Sequence, residues 1–339
     1  MTTTDTGKKI RWGILGAAKI AIEKMIPGIG KSANGQLFAI ASRNLEKAKA
    51  VAGRFAIPKA YGSYEALLAD PEVDAIYNPL PNHLHVPLSI AAMEAGKHVL
   101  CEKPIACTAG EAATLIAAQA RTGKLVQEAA MVRTHPRWLG AKAWIAEGAI
   151  GDLRSVMGFF SYYNDSPDNV RNQPGMGGGG LLDVGFYPVT MSRFLFGCEP
   201  TRVVGVLDRD PAFGTDRLAS AILEFPKGQA IFTCAMQLVA HQSLDILGTK
   251  GRLAVETPWS WPHDKESRLL LDDGKHQRNH QQQARKFPSV DQWGWHAELF
   301  AQAVLDGRPA PVPIEDAVAN MRVLDAIARS AESGHWEAP

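Results

Sequence analysis

The sequence predicts an α/β amino-terminal half built on a doubly wound parallel sheet, and an α+β carboxyl-terminal half with a large, open, mostly antiparallel sheet. Three observations predict it. Apolar strands alternate with helical segments at regular spacing up to about residue 125, as right-handed βαβ crossovers require. Beyond that point, short alternating strands are separated by tight turns such as Pro226-Lys227-Gly228 and Gly248-Thr249-Lys250-Gly251, the pattern of an antiparallel sheet. A chain of 339 residues is also too long for one ordinary core. Two domains are expected, 1–125 and 126–339.

In the first half, a buried strand over 10–15 breaks at Gly16-Ala17-Ala18-Lys19-Ile20-Ala21 before a helical segment. This is a degenerate GxGxxG/A turn, with Gly16 and Ala21 at its first and third positions and Ala18 in place of the second glycine. Small residues there let N–H groups at a helix start approach a pyrophosphate. A second strand, 37–41, ends in Ser42-Arg43-Asn44 ahead of a helix over 45–55 that carries Lys47 one turn in. A carboxylate at this strand end suits the ribose hydroxyls of NAD, whereas arginine suits a 2′-phosphate. Ser42, Arg43 and Lys47 therefore point to NADP(H).

A helix over 64–68, a strand over 73–77, a loop over 78–85, a helix over 86–95, a strand over 98–100, a helix over 111–122 and a strand over 125–129 complete a Rossmann-type domain. The run Cys101-Glu102-Lys103-Pro104 leaves one of these strands directly. Proline restricts the residue before it, so the Lys103 amine is placed at the sheet's carboxyl edge, where ligands bind in open α/β sheets. A positioned amine can steer a substrate hydroxyl or share its proton.

The second half opens with Arg133, His135 and Trp138 around a helix over 139–147. A strand over 153–163 carries Phe159, Phe160, Tyr162 and Tyr163, and a polar loop over 164–176 contains Asp165, Asp168, Asn169 and Arg171. Glycines 177–180 read as a flexible entrance to a helix starting near Leu181. On it, Asp183 and Tyr187 are four apart and share one face. Strands follow over 202–206, 219–225, 229–238, 242–248, 251–256 and 267–271. The tract 276–285 reads as an exposed polar loop, and helices over 293–305 and 314–332 end the chain. Arg133, His135, Trp138 and Arg171 offer aromatic faces and planar donors, which makes them candidate substrate contacts.

Composition excludes several classes. With Lys+Arg 36 against Asp+Glu 35 and a net charge of +1, nothing provides an electrostatic footprint for nucleic acid. No apolar run is long enough to span a bilayer. Residues 1–9 show no export signal, so a cytoplasmic protein is expected. The cysteines at 101, 107, 198 and 234 form no CxxC pair and no zinc-like spacing with histidine; reduced thiols and no metal are expected.

Together, the turn 16–21, the loop Pro81-Asn82-His83-Leu84-His85, the run 96–104 with its Glu-Lys-Pro, and Asp183-x-x-x-Tyr187 resemble the Gfo/Idh/MocA oxidoreductases over nearly the whole chain. The resemblance implies cofactor contacts at Gly16, Ala17, Ala18, Lys19, Ile20, Ser42, Arg43, Lys47, Leu80, Asn82, His85, Glu102 and Lys103. It implies that the helix of Asp183 lies against the nicotinamide pocket, with Asp183 binding substrate or orienting the acid/base and position 187 carrying the proton. Many members that oxidise cyclitols have histidine at that position. Tyr187 instead resembles the branch containing glucose-fructose oxidoreductase, aldose-aldose oxidoreductase, xylose dehydrogenase and dimeric dihydrodiol dehydrogenase. A homodimer through the carboxyl-terminal sheet is also implied.

Two enzyme readings follow from this resemblance, and a non-enzyme reading stands against them. The first is an aldose oxidation at C1 to the lactone, with NADP retained and cycled between two sugars. A xylose or trans-dihydrodiol dehydrogenase that exchanges free NADP is the second. The third, a protein that senses NADP without turnover, has no need for an aligned Lys103, Asp183 and Tyr187.

Overall fold

A computed structural model describes residues 7–275 and 282–339. The chain forms two compact units, one of residues up to 106 with 110–134 and 291–317, the other of 107–109, 135–290 and 318–339.

In the first unit six strands are all parallel: β1 (Ile10–Leu15), β2 (Gly35–Ala41), β3 (Lys59–Tyr61), β4 (Ala75–Asn78), β5 (His98–Cys101) and β6 (Val126–Glu128). Their order is β3-β2-β1-β4-β5-β6. The direction of winding reverses between β1 and β4, and such a switch point opens a crevice at the strands' carboxyl ends. Between the strands run α1 (Ile26–Gly30), α2 (Leu45–Phe55), α3 (Tyr64–Leu68), α4 (His85–Glu94) and α5 (Ala109–Thr122). The sequence reading lacks β3, since three half-buried residues are too few to show a period.

The core beneath this sheet includes Trp12, Ile14, Tyr77 and Leu100, all fully buried. It also includes Phe300, whose ring lies 5.8 Å from that of Trp12. Phe300 comes from the helix Gln292–Leu305, which returns to the first unit near the end of the chain. A close backbone approach seats this helix: a Cβ on Gly28 would lie 2.7 Å from the Gly294 nitrogen, so α1 and the returning helix meet without side chains between them. The linear division at 125/126 does not carry this return, because contact between positions 12 and 300 leaves no local mark in sequence.

The second unit contains α6 (Pro136–Ala146), β7 (Leu153–Tyr163), α7 (Phe186–Phe196), β8 (Arg202–Arg209), β9 (Asp216–Phe225), β10 (Gly228–Ala235), β11 (Gln237–Gly248), β12 (Arg252–Glu256), β13 (Ser267–Asp272) and β14 (Gln282–Phe287). The eight strands form one sheet, ordered β14-β13-β12-β11-β7-β10-β9-β8. Every pair is antiparallel except β7 with β10. The expected strand 229–238 divides at Met236 into β10 and β11. Of the tract expected as loop, 282–285 belong instead to β14, which pairs from Gln282↔Asp272 to Ser267↔Phe287; residues 276–281 lie outside the described residues. Backbone pairing with β13 overrides the polar composition there.

Candidate active site

The carboxyl edge of the parallel sheet gathers the nucleotide candidates. Gly16 follows β1 at φ +84°, and a Cβ on it would lie 2.7 Å from Leu80 Cδ2. Only glycine combines that backbone conformation with that approach. Ala17 and Ala18 are partly buried and pack against the core cluster, so the methyl at the second glycine position is accommodated by apolar contact. At the end of β2, Ser42 is buried and its Oγ accepts the Asn44 N–H at 3.2 Å. The Asn44 side chain caps α2 by accepting the Lys47 N–H at 3.1 Å. Arg43 and Lys47 stand exposed beside this cap. These donors, together with the lack of a carboxylate in Ser42-Arg43-Asn44, fit a nucleotide bearing a 2′-phosphate. Lys19 and Ile20 are helical and open the segment that runs on through the π-turn Ala21–Met25 into α1.

Beyond β5, the Lys103-Pro104 bond is cis, and Lys103 is half-buried. Its neighbours are tied down. Glu102 accepts the Tyr77 hydroxyl at 2.6 Å, and Glu128 accepts the Ile105 N–H at 2.7 Å. His85 is 1% exposed, with one ring nitrogen 2.7 Å from the Pro104 carbonyl and the other 2.7 Å from the Leu80 carbonyl. The imidazole thus spans the loop after β4 and the lysine turn, with both ring nitrogens engaged by backbone carbonyls. Asn82 opens the short 3₁₀ turn Asn82–Leu84 in the same loop.

In the second unit the chain brings Asp183, Arg171, Tyr162 and Tyr187 together. Asp183 is buried in a π-turn, Leu181–Gly185, that runs directly into α7; such turns concentrate at functional sites. Its carboxylate accepts the Tyr162 hydroxyl at 2.6 Å and pairs with Arg171 Nε at 2.8 Å. The charge of Asp183 raises the Arg171 pKa, to which Tyr187 also contributes. Burial, then the same carboxylate, raises the Tyr162 pKa. Tyr162 is therefore a donor at neutral pH.

Tyr187 is 9% exposed within an aromatic wall. Its ring lies 5.5 Å from Phe160, 5.5 Å from Trp259 and 5.4 Å from Phe186. Trp259 in turn stacks on Trp138 at 5.7 Å. A clamp holds the segment that delivers Trp259. Arg137, 2% exposed, donates from Nη1 to the Glu256 carbonyl at 3.0 Å and from Nη2 to the Thr257 and Pro258 carbonyls at 3.3 and 2.9 Å. Thr257 sits at φ +42°, a conformation that a β-branched residue adopts only when its surroundings impose it.

The remaining sugar candidates have structural engagements. Arg133, in the first unit, pairs with Asp316. Trp138 is 1% exposed. His135 caps α6 by accepting the Arg137 N–H on Nδ1 at 3.1 Å, and burial lowers its pKa to about 4, so it is neutral at physiological pH.

Tyr162 is noted in the sequence only as an aromatic, while Trp259, Arg137 and Tyr77 are not singled out there. No local spacing links them to Asp183, Tyr187 or Glu102. Among the described residues, no group of three or more His, Cys, Asp or Glu is placed to hold a metal ion. Likewise, no described helix is long and apolar enough to cross a membrane.

Comparison with known proteins matches both halves of the chain. Residues 10–130 match the family described as oxidoreductase, NAD-binding Rossmann fold, and residues 138–254 match the GFO/IDH/MocA C-terminal domain. An uncharacterized oxidoreductase of Rhizobium meliloti is 44% identical over 97% of this chain and 98% of its own. A D-xylose 1-dehydrogenase (NADP(+)) of Haloferax volcanii is 36% identical over 95% of this chain and 98% of its own. Among solved structures, a 3-ketoreductase from Actinomadura kijaniata in complex with NADP and TDP-benzene superposes with a TM-score of 0.89. It is 30% identical and covers 95% of this chain and 98% of its own.

Proposed function

The chain belongs to the Gfo/Idh/MocA oxidoreductase family, and on that premise we propose that it is an NADP(H)-dependent sugar oxidoreductase that oxidises an aldose at C1 to the lactone. The observation that carries the reading is the cluster in which Asp183, held by Arg171 and Tyr162, precedes the aromatic-walled Tyr187 by four residues. Carboxylate, guanidinium and phenol match sugar hydroxyls, and indole faces match the C–H faces of a pyranose. The 36% identity to a xylose dehydrogenase supports the same substrate class.

Bound NADP supplies the hydride acceptor at nicotinamide C4. Lys103 stabilises the alkoxide that develops on the reacting hydroxyl. Tyr187, acting as its phenolate, takes up the hydroxyl proton. Asp183, oriented by its two partners, accepts a hydrogen bond from an adjacent sugar hydroxyl.

A second reading, reduction of a 3-keto group on a nucleotide-linked sugar, is supported by the 30% identity to the 3-ketoreductase. One experiment separates the readings. Purified protein is given glucose or xylose while the reduced-nicotinamide absorbance is followed. A rise with lactone formation supports C1 oxidation, and bleaching on a second sugar without added NADP supports a retained, cycling cofactor. No response to free aldoses, with oxidation of NADPH by a nucleotide-linked ketosugar, supports the second reading. No response to any of these favours an NADP sensor.

Replacing Arg43 and Lys47 together by Ala is expected to weaken NADP binding by about 10- to 100-fold, as loss of charge-assisted hydrogen bonds to a phosphate would. Binding of NAD should stay unchanged, and fluorescence titration with both reduced nucleotides checks this.

The proposed assembly is a homodimer through the outer face of the second unit's sheet. Register aligns Val204, Ile222, Ile231 and Met157 across β8, β9, β10 and β7. Met157 is 48% exposed. The neighbouring row, Val203, Leu223, Ala230 and Val156, is buried, so an apolar stripe runs along the opposite face. Light scattering at a monomer mass would refute this assembly.

A further inference from the structure

The glycine run before Asp183 is a close-packed cradle rather than a flexible entrance. Gly178 and Gly179 donate their N–H groups to the Gln173 and Arg171 carbonyls at 3.1 and 2.9 Å. A Cβ on Gly178 would lie 2.4 Å from the Arg171 carbonyl oxygen. Gly179, at φ +120°, passes so near Asp216 that a Cβ would lie 2.1 Å from Oδ1. The run thus folds back over the backbone of Arg171, whose guanidinium pairs with Asp183, and rests against a carboxylate that opens β9.

That carboxylate is itself unusual. Asp216 is 7% exposed, and its Oδ2 accepts the N–H of Leu181 at 2.6 Å. Leu181 is the first residue of the π-turn, and the Asp183 N–H bonds back to the Gly179 carbonyl at 3.1 Å. One buried carboxylate therefore secures the first amide of the segment that presents Asp183 and then Tyr187.

We infer that Asp216 is a positioning residue for the reaction: its carboxylate fixes the start of the π-turn 181–185, and with it the placement of Asp183 and Tyr187. This rests on the roles assigned above to those two residues. Burial pushes the Asp216 carboxyl up to about 6, against the opposing pull of the Leu181 and Gly180 N–H groups and of Arg209 on β8. A further titratable group here is Cys234 on β10, whose thiol feels both Asp216 and Asp183. A raised carboxyl pKa means that protonation stabilises the folded state, a contribution present below the usual carboxylate range and lost as pH rises through about 6. The ionised form that prevails at neutral pH is thus kept at a cost to stability, as is usual where a buried charge serves a function.

Asp216→Asn keeps the shape and removes the charge, so it copies the protonated wild type. At about pH 7.5 the variant should lose roughly tenfold in kcat with KM for NADP unchanged, the size expected for one weakened charge-assisted hydrogen bond. The wild-type advantage should shrink toward unity below about pH 6. Independently of turnover, amide exchange in peptides covering 177–187 should be faster in the variant at neutral pH and equal to wild type in acid. An unchanged kcat with unchanged protection overturns the inference. If no sugar is oxidised but exchange behaves as stated, the positioning role stands and the substrate reading falls. Should the variant fail to fold, the wild type decides: kcat and exchange, corrected for intrinsic rates, must inflect near pH 6, and flat profiles overturn the inference.

Discussion

Tyr187→Phe is expected to lower kcat for aldose oxidation by about 10²- to 10⁴-fold, the range that general acid–base assistance contributes. Phenylalanine retains the ring that packs on Phe160, Trp259 and Phe186, so only the hydroxyl is lost. Lys103→Ala should cause a loss of similar size. Both variants should still bind NADPH, since the helix start and basic strand end proposed to receive the nucleotide are left intact in each. Steady-state kinetics with a fluorescence titration checks this, and full turnover in both variants would sink the assignment.

Arg137→Ala carries the largest expected effect on stability. Its three carbonyl acceptors, at Glu256, Thr257 and Pro258, would lose this donor in a buried to half-buried setting. Burial lowers the Arg137 pKa to about 10, which still leaves it charged at neutral pH and able to donate to all three. Its removal is expected to cost about 3 kcal/mol, or a fall of roughly 6–12 °C in the melting temperature of a unit this size. Because Thr257 sits in the left-handed region, the released segment should relax and carry Trp259 away from Tyr187. KM for the sugar should then rise even at temperatures where the variant stays folded. A melting curve and a kcat/KM comparison at about 20 °C test the two parts separately.

The division between what was legible in the sequence and what was not follows the range of the interactions. Strand β7 and helix α2 carry their own periodicity, and the turn at Gly16 and the i,i+4 pair Asp183 and Tyr187 are local patterns, so all were readable. The partners of Asp183 were not, since Tyr162 and Arg171 reach it across 21 and 12 residues through a sheet and a loop. Trp259 was hidden for the same reason, delivered by a segment whose geometry depends on an arginine 120 positions earlier. Glycines 177–180 show a different failure. Composition alone suggests looseness, whereas three-dimensional context gives Gly178 and Gly179 neighbours that exclude any Cβ. His85 and His135, read from the sequence as a cofactor contact and a sugar contact, also brace two loops and cap a helix, engagements that leave no local mark in sequence.

The helix Gln292–Leu305 also bears on how the protein is made. A ribosome delivers the six strands of the first unit long before it delivers Phe300, so that sheet waits through more than half of translation with Trp12 lacking its cover. A fragment ending near residue 134 would keep that apolar surface open, and is expected to aggregate when expressed alone. Appending residues 291–317 through a short linker should restore a soluble nucleotide-binding module. For engineers wishing to graft this unit elsewhere, the transferable part is two separate stretches of sequence rather than one.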